Sequence, residues 1–444
     1  MIALDKDAAW LAARMSGHSA RAIAHEVSAL IRSGELPVGT QLPTTRDLAR
    51  ELGISPATVS EAWKSLRRHK VIEGGGRRGI RVSASFGSAR PERLASVANY
   101  GPDVIDLARA VPDIRLLPAL GPALAAGASA AGLNSYDRER ILPALDRCLR
   151  DGWPYDAGAM LAVNGGYNGV YTALHALIRP SAVIAVEHPT PMRLLDILED
   201  MDLTILPVDC DNEGPRPDLL AQALAQRPAA FLFQPRLHGV TGHVVTPRRL
   251  VQLRDVLASA DTLVIEDDGV GDLAMLPRQS LGSWLPGRVI HILSFSKSLG
   301  PDLRLAVMSS SVELIAEIQA FRLFSSGWTS RILQGAACWL LQDAYTCELL
   351  DRARCTYQAR RDALASRLNE NAIQITPGGG LSLRAPVQSE SYALVTLAAR
   401  GISVQPGSKT SLGASNYVRI ATGIMDASLL EATAPNIILA CQGG

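Results

Sequence analysis

The chain has 444 residues, 47% of them hydrophobic and 20% charged, with a net charge of +1. That profile describes a globular protein with room for two or more domains. With no run of about 18 apolar residues and no signal-peptide pattern in residues 1–7, it excludes a membrane-spanning role and points to the cytoplasm. The six cysteines (Cys148, Cys210, Cys338, Cys347, Cys355 and Cys441) include no CxxC pair and no metal-ligand spacing. Reduced thiols and no metal site are therefore expected.

Charge is uneven along the chain. Residues 1–85 hold thirteen Lys/Arg against eight Asp/Glu, a basic head of the kind that meets nucleic acid. Apolar residues at Ile23, Val27, Leu30 and Ile31 predict a helix over 20–31, stopped by Gly34. Pro43-Thr44-Thr45-Arg46 opens a second helix with Leu48, Ala49 and Leu52 as its apolar face, and Gly53 ends it. Ser55 as N-cap and Pro56 at the first helical position start a third helix over 56–69, burying Val59, Ala62, Trp63 and Leu66. Residues 71–73 and 80–82 read as two short strands around a Gly/Arg tip. Together these parts predict a winged helix-turn-helix over residues 1–85.

The order of parts resembles the GntR family of bacterial regulators. Its Gly-x-Leu-x-x-Gly-x-x-Leu-Pro run stands at Gly34 to Pro43, followed by Leu48-Ala49 and by Ser55-x-x-Thr58-Val59. The resemblance implies a double-stranded DNA partner read by the third helix, whose N-terminal residues lie nearest the bases. Ser55, Thr58, Ser60 and Lys64 on that helix, with Thr44, Thr45 and Arg46 at the start of the preceding one, are the candidate DNA contacts. Arg77 and Arg78 on the wing are candidates for a minor groove. An arginine usual in the family after the Ser55 position is here Pro56, which removes one expected contact. For any single one of these residues a solvated helix face is the alternative reading.

Residues 86–103 are small, polar and punctuated by Pro and Gly, and read as a linker. From 104 onward helical stretches alternate with β-branched strands near 161–164, 182–187, 203–208, 230–234, 262–267 and 289–295. That predicts an α/β domain over 104–444 around a mostly parallel sheet, with a smaller C-terminal α/β piece from about Leu349. Gly165, Gly166 and Tyr167 open a helix, where bare N–H groups suit an anion such as phosphate. Residues 262–268 form a strand that ends in Glu266-Asp267-Asp268. The next strand breaks into Ser294-Phe295-Ser296-Lys297, then a Gly-Pro turn and Arg304. A lysine beside a core is costly unless its charge is used or removed. A Schiff base to an aldehyde removes it, and two hydroxyls with a guanidinium suit that aldehyde's phosphate. Pyridoxal 5′-phosphate (PLP) meets all three demands; a strand end with a solvated lysine is the other reading.

Taken with the Pro235–Gly242 loop and the late Arg419, this order resembles the fold type I aminotransferases. Joined to a GntR-type head, it resembles the MocR subfamily of transcriptional regulators. The resemblance implies PLP held as an internal aldimine on Lys297, with Asp267 on the ring nitrogen. Ser294, Ser296, Arg304 and the Gly165-Gly166-Tyr167 helix start would hold the phosphate. Arg419 would bind the carboxylate of an amino-acid effector, and the chain would form a homodimer. The wording around Lys297 is similar to the vitamin B6 salvage branch, in which PLP itself is the signal.

Three positions depart from the aminotransferase pattern: Gly239 stands where an asparagine is usual, Gly269 where related regulators have tyrosine, and Pro191 where an aromatic stacks on the ring. His238 is the candidate replacement, as hydrogen-bond partner or stacking plane; a buried structural histidine is its alternative. Anchoring kept without tuning favours sensing over turnover. The expected protein is thus a PLP-responsive DNA-binding regulator, possessed of no enzymatic role. Two alternatives stand beside it: an active PLP-dependent aminotransferase with an attached DNA-binding head, and a cofactor-free DNA-binding dimer.

Overall fold

The computed structural model describes residues 7–74, 79–83, 91–95, 101 and 103–443. The chain divides into two compact units, residues 1–95 and 96–444.

In the first unit, α1 (Ala8–Ala12), α2 (Ala20–Arg32), α3 (Thr45–Leu52) and α4 (Pro56–Arg68) enclose a core built on Ile23, Val27, Leu48, Val59 and Trp63. Local chemistry sets the helix ends. Ser19, Thr44 and Ser55 each accept a first-turn N–H on the side-chain oxygen, from Ala22, Asp47 and Ala57. Gly53 closes α3 in the left-handed conformation, φ 65°, which a residue without Cβ adopts freely. Strands β1 (Gln41–Leu42), β2 (Ile72–Gly74) and β3 (Ile80–Val82) pair in the order β1-β3-β2. Neither α1 nor β1 was expected from sequence, since five and two residues are too few to display a period. Arg77 and Arg78 lie outside the described residues. Trp63 is fully buried, so Trp63→Ala is expected to cost this unit about 3–5 kcal/mol. Its thermal unfolding, followed by circular dichroism, checks this.

Within the expected linker, residues 92–95 form a short helix, α5 (Glu92–Ala95). The second unit then runs through β4 (Ile105–Leu107), α6 (Leu120–Gly127), α7 (Pro143–Arg150), β5 (Ala159–Val163), α8 (Gly166–Leu177) and β6 (Val183–His188). It continues with β7 (Thr204–Asp211), β8 (Gly214–Pro215), β9 (Ala230–Phe233), β10 (Leu263–Asp268), β11 (Val289–Ser294) and β12 (Ala306–Ser310). These strands form one sheet in the order β5-β12-β11-β10-β9-β6-β7-β8. From β11 to β7 neighbours are parallel, while β12 runs antiparallel between β11 and β5. Val264, Ile265, Ile290 and Ile292 are fully buried, as a parallel sheet covered on both faces requires.

A second sheet, β13 (Ser382–Pro386), β14 (Ile402–Pro406) and β15 (Tyr417–Ala421), takes β4 as its edge in the order β13-β15-β14-β4. The C-terminal piece is therefore completed by residues 105–107, about 300 positions upstream. Among the described residues no helix is long and apolar enough to cross a membrane. In open parallel sheets ligands bind beyond the carboxyl ends of the strands. Here those ends carry Glu187, Asp267, Asp268 and Ser294.

Candidate functional site

Asp267 and Asp268 leave β10 on opposite faces, and their surroundings differ. Asp268 is paired with Arg236, Nη2 to Oδ2 at 2.6 Å, and each side chain is 2% exposed. Asp267 is equally buried but has no cation partner among the described residues; its side-chain contact is the Gln234 amide, 3.3 Å away. Burial above all, then the charges of Asp268 and Glu187, push its carboxyl up to about 7. A buried carboxylate left this way is costly until a proton or a cation reaches it.

The start of α8 packs against this carboxylate. Gly165 has φ 100°, and a Cβ there would stand 3.1 Å from the Arg304 guanidinium. A Cβ on Gly166 would stand 3.2 Å from Ser294 Cβ and 3.5 Å from Asp267 Oδ1. Side chains there would be tight, so the N–H end of the helix, Asp267, Ser294 and Arg304 converge. Arg304 follows the turn Pro301–Leu303 with φ 45° and donates to the Asn164 carbonyl at 3.2 Å. Ser296 is half-buried, and its N–H donates to Ser294 Oγ at 3.3 Å. Tyr167, one residue into α8, lies with its ring 5.2 Å from the Arg193 guanidinium. Burial, and then the Asp267 charge, push its hydroxyl up to about 12.

Lys297 donates from Nζ to the Ala110 carbonyl at 2.5 Å. Burial, and then the positive charge of Arg419, bring its ammonium down to about 8. Arg419, on β15, donates to the Ala108 carbonyl at 2.5 Å, while its buried Nε has no partner among the described residues. One stretch of backbone, 108–110, thus links the lysine after β11 to the arginine of the second sheet.

His238 is held within its own loop. Its Nδ1 accepts from the Val240 and Thr241 N–H groups, and its ring stacks on His243 at 4.6 Å. None of its described contacts joins it to Lys297, Asp267, Ser294 or Arg304. The residue that sequence reasoning missed is Gln234. Its Oε1 accepts from the Gly239 N–H at 2.7 Å and its Nε2 faces Asp267. A Cβ on Gly269 would stand 3.3 Å from that same Nε2. Two of the three departures from the aminotransferase pattern therefore border one amide. The only signal for Gln234 was its place at a strand end before Pro235.

In the first unit the described candidate DNA contacts lie at the start of α3 and along α4. Thr44 and Ser55 spend side-chain oxygens on their own caps, and the Thr44 hydroxyl also donates to Asp47 at 2.7 Å. Thr45 and Thr58 are half-buried, whereas Arg46, Ser60 and Lys64 are exposed. Arg67, which sequence reasoning left out, is exposed on the same side of α4. Lys64 lies 3.6 Å from Glu61, both well exposed, a pair of little stabilising worth. Lys64→Ala is expected to weaken DNA binding and to lower the slope of log affinity against log salt by about 1. Titrations at several salt concentrations check this.

Residues 19–82 match the family model "Bacterial regulatory proteins, gntR family", and residues 102–435 match "Aminotransferase class I and II". The multiple substrate aminotransferase of Thermococcus profundus shares the fold of the second unit, with a TM-score of 0.70 at 20% identity over 79% of this chain and 93% of that one. Thermus thermophilus aspartate aminotransferase with maleate gives a TM-score of 0.68 at 18% identity, over 76% and 92%. The class is thus a GntR-type winged helix joined to a fold type I aminotransferase-like domain. Along its length the chain is 30% identical over 430 residues to the vitamin B6 salvage pathway transcriptional repressor PtsJ of Salmonella typhimurium, covering 95% of this chain and 98% of that protein. It is 26% identical over 424 residues to the HTH-type transcriptional regulator TauR of Rhodobacter capsulatus, covering 85% and 86%. The chain belongs to the MocR subfamily of GntR-type transcriptional regulators.

The aminotransferase fold family is PLP-dependent, and the residues of this chain fit that group. Bare N–H groups, two hydroxyls and a guanidinium suit a phosphate. The uncompensated Asp267 suits a protonated ring nitrogen, and the amine of Lys297 suits an aldehyde.

Proposed function

We propose that this regulator takes PLP as its effector, held by the aminotransferase-like unit, and couples it to operator binding by the winged helix. The observation that carries the reading is Asp267, a buried carboxylate without a cation partner among the described residues, set against a glycine helix start with little room for a side chain. When bound, PLP supplies an aldehyde that condenses with a lysine amine, a ring nitrogen that takes a proton, and a phosphate. Lys297 would hold the aldehyde end, and its lowered ammonium leaves more of the amine neutral at neutral pH. Asp267 would keep a proton on the ring nitrogen. Gly165, Gly166, Tyr167, Ser294, Ser296 and Arg304 would hold the phosphate, and the free Nε of Arg419 would meet the carboxylate of an amino-acid effector.

The proposed division is a DNA-binding head over 1–85, a linker over 86–103 and an effector and dimerisation domain over 104–444, acting in the cytoplasm. A two-fold homodimer would present two heads to repeated or inverted half-sites. PLP can then change DNA affinity only by as much as it distinguishes two head arrangements. The 30% identity to a vitamin B6 salvage repressor supports vitamin B6 metabolism as the controlled process.

Gly239, Gly269 and Pro191 at the ring-tuning positions support a sensor over a catalyst. Purified protein with PLP, an amino acid and a 2-oxo acid is expected to give no sustained conversion. Turnover at about 1 s⁻¹ or more, an ordinary enzyme rate, would replace this reading with that of an active aminotransferase.

A further inference from the structure

Beside the proposed PLP residues lies a second polar cluster. In the parallel pair β6/β7, Glu187 stands opposite Val208. Cys210, two residues further, therefore turns to the same face as Glu187. His243 reaches this face from the loop after β9. Glu187, Cys210 and His243 each bring one ligand atom to a common point, all within 4.8 Å of one another. Glu187 and His243 are 1% and 4% exposed.

Both are fixed through one atom and left open at the other. Glu187 Oε1 accepts from the Gln234 N–H at 2.9 Å, and its Oε2 has no partner among the described residues. His243 Nδ1 lies 2.7 Å from Thr241 Oγ1, and its Nε2 has no hydrogen-bond partner among the described residues. Buried polar atoms are almost always satisfied, so two open ones on residues clustered with a thiol call for an occupant. His238 stands behind the pair. Because its Nδ1 accepts two N–H groups, its proton belongs on Nε2, which lies 3.4 Å from Glu187 Oε1 without forming a hydrogen bond.

We propose that Glu187, Cys210 and His243 bind a divalent zinc-class cation. A thiolate, a carboxylate and a neutral imidazole cancel its charge, and sulfur with nitrogen selects zinc over magnesium or calcium. Zinc bonds of about 2.0–2.3 Å would bring the donor atoms to about 3.3–3.7 Å apart. Loading therefore draws the ligands together by at most about 1 Å, a movement side-chain rotation can supply. Three protein ligands leave the fourth position to water or a small ligand. Cysteine spacing does not reveal such a site, because its ligands come from three separate elements and only one is a cysteine.

The full-length protein, stripped with a chelator, is titrated with Co²⁺ and read by its absorption. The expected result is one Co²⁺ per chain with a thiolate-to-cobalt band, displaced by Zn²⁺. The band is expected to vanish in Cys210→Ser and to persist in Cys338→Ser. His243→Gln is expected to lower the affinity roughly tenfold or more. A band that survives Cys210→Ser, or the lack of stoichiometric binding, overturns the proposal. Should Cys210→Ser fail to fold, an unchanged affinity in His243→Gln does so.

Discussion

Replacing Lys297 with alanine is expected to abolish the visible absorption band that the wild-type chain gains with PLP. The reason lies in the amine's surroundings. With its ammonium at about 8, about one tenth of Lys297 is neutral at pH 7, against less than about one part in a thousand for an ordinary lysine. Only the neutral amine condenses with an aldehyde. The rate of band formation in the wild type should therefore rise about tenfold per pH unit below pH 7 and flatten above pH 8. Stopped-flow absorbance across that range checks both statements. A rate that climbs steadily to pH 10 would mean that Lys297 is not the amine that reacts.

Asp267→Asn is expected to raise stability while removing PLP affinity. Folding lifts this carboxyl from 3.8 to about 7, so the folded chain holds the proton more tightly than the unfolded one. Stability is then full below about pH 4 and declines as pH rises to about 7. At about 1.36 kcal/mol per pH unit the loss is a few kcal/mol. Asparagine does not ionise and escapes it. In thermal unfolding without added PLP, the gap between variant and wild type should be small near pH 4 and reach several degrees, in favour of the variant, at pH 8. With PLP present the order should reverse, because only the wild type gains a ligand. An Asn variant less stable than wild type at pH 8 without PLP would show that Asp267 has a cation partner after all.

Much of this site was legible in the sequence, and the reasons for the rest are specific. The strands carrying Asp267 and Ser294 are largely apolar runs, the second interrupted by His291, that end in polar residues, a pattern that survives in one dimension. The difference between Asp267 and Asp268 does not. It depends on Arg236, more than thirty positions upstream, which pairs with Asp268 and Asp272 but not with Asp267. Gln234 was passed over for a similar reason: only folding brings its amide to Asp267 and to the backbone of Gly239. His238 drew attention as a replacement for the missing ring partners; its Nδ1 contacts that loop's own amides and its Nε2 lies near Glu187, which the sequence does not reveal. Strand β12 escaped notice because Ala306-Val307-Met308-Ser309-Ser310 shows no alternation and follows directly on Arg304. The contribution of β4 to a sheet otherwise built from residues beyond 380 is a tertiary fact with no local signal.

The central claim is that PLP on Lys297 changes how the winged helix holds DNA. Its most direct test is binding to the chain's own upstream region, with and without PLP, for wild type and Lys297→Ala. PLP is expected to shift the affinity of the wild type and to leave that of Lys297→Ala unchanged. Equal affinity in all four measurements would contradict the account.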